Sequence, residues 1–147
     1  MLKEILIEIY ERDLNKLKNE INLYSDEADL WIINDEIPNS AGNLTLHLLG
    51  NLNHYFGALL NKNGYMRQRD REFSERNISR EVLNNRIETT IEVVKNTLNN
   101  LTNEDFAKDY PETLQNKIVK TDFFLVHSAT HFTYHLGQIN YHRRLLS

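Results

Sequence analysis

His127-Ser-Ala-Thr-His131-Phe-Thr-Tyr-His135-Leu-Gly-Gln138-Ile139 repeats histidine at every fourth position. Residues four apart on an α-helix lie one above the other on the same face, so the stretch reads as helix. Imidazoles stacked in this way can turn their ring nitrogens toward a single ion. Three of the chain's 6 histidines sit here, and His142 follows two turns after His135, back on nearly the same face. The pattern predicts a divalent metal held on a helical bundle.

Working outward, the remaining sequence also reads as helix. Only 5 Gly and 2 Pro in 147 residues leave little punctuation, which favours long helices over a turn-rich β fold. The length suits one domain, residues 1–147, large enough to bury a core without staples. Four segments carry helical periodicity. The first runs from about Leu2 to Tyr24, with Ile5, Ile9, Leu14, Leu17, Ile21 and Tyr24 as its apolar stripe. Pro38 stops the segment that holds Trp31, and Ser40 is the candidate N-cap of a second helix reaching about Asn61. Ser79 caps a third helix to about Asn100, with Val82, Ile87, Ile91, Val94 and Leu98 inward. Thr121 opens the fourth, Asp122 to Leu146, which carries the histidine ladder. The connections Lys62 to Ile78 and Leu101 to Lys120 are too long for tight turns and are expected to cross the bundle. The second is expected to hold a short extended piece at Ile118-Val119.

The absence of cysteine removes disulfides, thiolate zinc sites, redox pairs and cysteine nucleophiles. Any metal must therefore rest on nitrogen and oxygen ligands. A net charge of −4 offers no electrostatic footprint for nucleic acid. The first ten residues interleave acids with apolar side chains, unlike a signal peptide, and no apolar run approaches membrane-spanning length. A cytoplasmic location without nucleic-acid or membrane partners is the expectation.

Zinc and similar ions accept imidazole nitrogens, and a catalytic site typically keeps three protein ligands and one open position. Two ligands from one helix and a third from a facing helix meet that need. The fourth helix offers His127, His131 and His135, and the second offers His47 and His54. Neutral imidazole suits zinc, nickel, copper or iron alike. The alternative is a set of packing histidines satisfied by hydrogen bonds, although three on one buried helix face would each need a partner. Rival architectures lack their signatures. No histidine has an acid three positions before it, as di-iron bundles require. His-Glu-x-x-His, a Gly-rich phosphate loop and Gly-x-Ser-x-Gly are all missing.

His131-Phe-Thr-Tyr-His135-Leu-Gly137-Gln138-Ile139, Asn43-Leu-Thr-Leu-His47-Leu-Leu-Gly50-Asn51 and Arg69-Asp-Arg-Glu-Phe73 together resemble the DinB-like superfamily, specifically its small single-domain branch of uncharacterised proteins. The resemblance covers essentially the whole chain in order and spacing. It implies an all-α, four-helix bundle of DinB type with a long crossover between helices 2 and 3, often dimeric. It also implies one divalent metal, zinc or nickel, on His47, His131 and His135. Relatives include metal-dependent transferases and isomerases that use low-molecular-weight thiols, so a small-molecule substrate and a homodimer are expected here. The alternative is a non-catalytic metal-binding or helical interaction protein of the stress-response type.

Around those ligands, Asn51 and Gln138 are candidates to orient imidazoles or a bound water. His127 is a packing or supporting group, His54 is a further supporting or substrate candidate, and His142, near the chain end, is expected to be solvated. Arg69 and Arg71 belong to a charged crossover segment that reads first as a surface loop with local ion pairs. Its functional alternative is bidentate capture of a substrate carboxylate above the metal. Tyr134 and Tyr141 are assigned to packing or a dimer contact.

Overall fold

The structure is a computed structural model that describes residues 1–146. Among these residues it is all-helical, with six α-helices and no strand. Helix α1 spans Leu2–Leu23, α2 Ala41–Leu52, α3 Arg69–Ser74, α4 Arg80–Asn100, α5 Asn103–Ala107 and α6 Thr121–Leu146. A 3-10 turn at Glu27–Trp31 precedes α2, and α2 runs on into a π-helical turn, Asn53–Ala58. The four long helices close on one another: α1 packs on α4 and α6, and α2 packs on the same two.

The caps expected from sequence form. Ser40 Oγ accepts from the Asn43 amide to start α2, and Ser79 Oγ accepts from the Val82 amide to start α4. Two apolar stripes shift phase from their expected register. Ile5 lies nine positions before Leu14, about two and a half turns, and so faces the opposite side of the helix. Leu6 and Tyr10, spaced by four ahead of Leu14, join the core instead, while Ile5 is exposed. The same geometry on α4 buries Leu83, four before Ile87, and leaves Val82 exposed. Tyr10, Phe56 and Phe132 are fully buried at the centre, each contributing roughly 1.5–3 kcal/mol by leaving water.

His142 is the clearest departure. It is buried rather than solvated, with Nδ1 2.6 Å from Tyr24 Oη and Nε2 2.8 Å from the Ile32 carbonyl oxygen. The segment after α1 folds back over the end of α6 and closes around the ring.

Both long connections contain short helices that the periodicity did not indicate. In the first, α3 packs on α2 and is fastened by buried Asn43, whose Nδ2 donates to the carbonyl oxygens of Glu72 (3.0 Å) and Glu75 (2.8 Å). The second doubles back on itself. The Tyr110 amide donates to Val119 O and the Thr121 amide to Lys108 O, so Val119 does lie in an extended pairing. Tyr110 then packs edge-on against Phe124 of α6 and donates its hydroxyl to Tyr55 O.

Candidate metal centre

Where α2 meets α6, three imidazoles converge. His47 comes from α2, His131 and His135 from successive turns of α6. One ring nitrogen of each lies within 4.8 Å of those of the other two. Ring centroids stand 5.3 Å (His47–His131), 5.2 Å (His47–His135) and 4.5 Å (His131–His135) apart, with planes at 75°, 89° and 83°. Rings so nearly perpendicular meet edge to edge, as three ligands around one point would. His131 Nε2 and His135 Nε2 are 3.1 Å apart. Two nitrogens bound tetrahedrally to zinc at ~2.0–2.1 Å stand about 3.4 Å apart, so the pair needs to open by only a few tenths of an ångström.

The opposite ring nitrogens fix which atom faces the centre. His47 Nδ1 lies 3.1 Å from Glu72 Oε1, and His135 Nδ1 lies 2.7 Å from Gln138 Oε1. A nitrogen donating to a carboxylate or amide oxygen carries the proton, which leaves Nε2 with its lone pair free on both rings. His131 Nδ1 is buried with no hydrogen-bond partner. Burial depresses the His131 pKa to about 4, helped by His135, His47, His127 and Arg67. His135 is lowered chiefly by burial and also by His47, against the raising effect of Gln138. Both rings are therefore neutral at pH 7, the state a metal requires.

Glu72 is the group the sequence reading missed. It is 6% exposed, and its carboxylate accepts from Arg67 through Nε (2.9 Å) and Nη2 (3.0 Å) as well as facing His47. Burial alone would raise its pKa, but His47 and Arg67 outweigh that and hold it below the usual carboxylate range. Arg67 in turn has its Nη2 3.5 Å from His47 Nδ1 and lies over the Tyr55 ring. The close approach depends on Gly50, one helical turn after His47: a Cβ there would stand 1.9 Å from Glu72 Oε2. That glycine, in mid-helix at a cost of about 1 kcal/mol, was the available signal for a neighbour pressed against α2.

The other sequence candidates separate. Asn51, Arg69 and His127 line a cavity of about 210 Å³ that reaches His47 and His131. His127 stacks on Phe123. His54 points elsewhere, with Nε2 3.1 Å from Glu112 Oε2. Arg71 faces a different groove, beside α4, and bonds Gln68 and Glu75. The crossover residue beside the histidines is thus Arg67, while Arg69 sits at the cavity with its guanidinium over Phe73.

No helix among the described residues is long and apolar enough to cross a membrane. A search of the curated proteins finds no match. A family model does match, covering residues 4–147 and so including every residue of the centre. The chain belongs to the family described as "Protein of unknown function (DUF1572)".

Proposed function

We propose that this is a divalent-metal-binding protein of the DinB-like superfamily, a four-helix bundle in which α1, α2, α4 and α6 are the bundle helices and α3 lies in the long crossover. The metal, zinc or nickel, rests on His47, His131 and His135. The observation that carries this reading is the convergence of three ring nitrogens whose opposite sides are held, on two of the rings, by Glu72 and Gln138.

A divalent ion held by His47, His131 and His135 would supply Lewis acidity, lowering the pKa of a bound water or thiol. Because the chain has no cysteine, a thiolate must come from a diffusible low-molecular-weight thiol. Glu72 and Gln138 orient two of the rings, burial keeps His131 and His135 neutral, and a small cavity lies beside them. The reading is that of a cytoplasmic, metal-dependent thiol S-transferase or hydrolase acting on a small molecule, with no nucleic-acid or membrane partner.

A homodimer is part of the proposal. Phe123, Val126, Tyr134, Tyr141 and Leu145 of α6 and Ile5 of α1 leave apolar side chains exposed, and Val126, Tyr134 and Ile5 share one shallow groove between the two helices. Sedimentation equilibrium of the wild type and a Tyr134→Lys variant tests it; a monomeric wild type removes the dimer.

The function is tested by metal analysis of untagged protein purified without chelator, beside a His131→Ala/His135→Ala double variant. Near-stoichiometric metal in the wild type and its loss in the variant are expected. Turnover of an electrophile such as a chlorodinitrobenzene is then measured with and without added thiol. Metal-loaded protein with no thiol-dependent turnover across a panel of electrophiles would favour the non-catalytic alternative. No metal in the wild type, and none taken up on titration, would remove the centre.

A further inference from the structure

The cavity beside His47 and His131 is lined without any carboxylate. Its polar lining includes two arginines and two side chains that are more than nine-tenths buried, Asn51 and Ser128. The Asn51 amide makes no hydrogen bond within the described chain, whereas Ser128 Oγ is turned to the Tyr10 phenol and closed off from the cavity. The Asn51 side chain is thus left open toward the cavity, where water or a ligand completes its hydrogen bonds.

The charge of the lining sets the sign of that ligand. Arg69 makes no hydrogen bond or ion pair and only rests on Phe73, so its guanidinium is available at the cavity. Arg67 is committed to Glu72 through Nε and Nη2 and lies against Tyr55, so it adds positive charge to the lining rather than a free donor. Donors from the Asn51 amide and the Arg69 guanidinium, under the added charge of Arg67 and with no acid in the lining, select an anion. The planar fork of a guanidinium matches a carboxylate. Leu114, Phe124 and Tyr55 complete the lining with apolar surface. At about 210 Å³ the space falls below the ~300–1,000 Å³ of drug-sized sites, and so admits a small acid or the acidic tip of a larger molecule.

We propose that this cavity is the substrate subsite for a small organic carboxylate with an apolar body, held by Asn51 and Arg69 beside the three histidines. The inference rests on the metal reading for the position of the reacting centre, but the subsite is made of residues outside the triad.

The test is calorimetric titration of zinc-loaded and zinc-free protein with benzoate, its neutral isostere benzamide, and inorganic phosphate, with zinc content measured separately by mass spectrometry. One benzoate per chain is expected, with benzamide and phosphate at least tenfold weaker. Asn51→Leu and Arg69→Gln should each weaken benzoate at least fivefold. Arg69 is exposed, so its variant folds whatever happens at Asn51. Arg71→Gln, outside the cavity, should bind benzoate as the wild type does. Absent benzoate binding, equal binding by benzamide or phosphate, or unchanged affinity in both cavity variants would each overturn the subsite. Zinc bound with no benzoate sinks the subsite and leaves the metal centre standing. Benzoate bound by protein that takes up no zinc supports the subsite and removes the metal.

Discussion

Replacing Gly50 with alanine tests the structural claim on which the centre most depends. The new Cβ would stand 1.9 Å from Glu72 Oε2 and 2.6 Å from Cδ, where ordinary contact begins at 3.4 Å. The carboxylate must therefore withdraw by about 1.5 Å, which stretches its contacts with His47 (3.1 Å) and Arg67 (2.9 and 3.0 Å) past hydrogen-bonding range. Loss of the partner that orients a metal-bound histidine typically costs 10–100-fold in affinity, or roughly 1.4–2.7 kcal/mol. For the metal-free fold two effects oppose each other. Alanine in a helix is better than glycine by about 1 kcal/mol, whereas each charge-assisted hydrogen bond lost costs about 1.5–3 kcal/mol. The net expectation is a destabilisation of about 1–3 kcal/mol. Zinc affinity is read by competition with a chromophoric chelator, and stability by urea unfolding of the chelator-treated protein. Glu72→Gln should weaken zinc comparably. The double variant should be no weaker than Glu72→Gln alone, because both changes act through one carboxylate. Wild-type zinc affinity in Gly50→Ala, or full additivity in the double variant, would refute the role given to Glu72.

Two further outcomes follow from the same geometry. Burial lowers the pKa of His131 in the metal-free fold to about 4 from the ordinary 6.5, so between those values the unfolded chain binds the extra proton. Stability is then fully present above about pH 6.5 and falls as pH drops toward 4. The unscreened shift corresponds to about 3 kcal/mol, reduced to roughly 1–2 by partial exposure of the ring. Urea midpoints from pH 7 to 4.5 check this, and His131→Gln should flatten the slope. Separately, His142→Ala removes the partner of Ile32 O and the nearer partner of Tyr24 Oη, which keeps only a 3.4 Å bond to Ile139 O. It should destabilise the fold by about 2–3 kcal/mol while leaving zinc affinity unchanged; a loss under 0.5 kcal/mol in urea titration would show the ring to be dispensable.

The amino-acid pattern by itself determined the helical class, the two capped helix starts at Ser40 and Ser79 and the pairing of His131 with His135. Each is local: a cap is made within four residues, and two side chains one turn apart on a helix are neighbours wherever the helix packs. It also offered His47, though as one of several candidates until the resemblance selected it. Stripe phase was less legible, because Ile5 and Leu6 are equally apolar and only packing against α4 and α6 decides which turns inward. His142 looked like a solvated terminal residue because its partners, Tyr24 and Ile32, lie more than 100 positions earlier in the chain. The roles of Glu72 and Arg67 were hidden for the same reason. In a charged crossover they look like solvated surface, and their burial exists only once Asn43 draws α3 onto α2 and Gly50 leaves room for the carboxylate. Local spacing thus set two imidazoles of the candidate centre, whereas the packing of α2, α3 and α6 brought in the third, oriented the rings and shaped the cavity. Those depend on contacts between residues far apart in sequence, which no periodicity records.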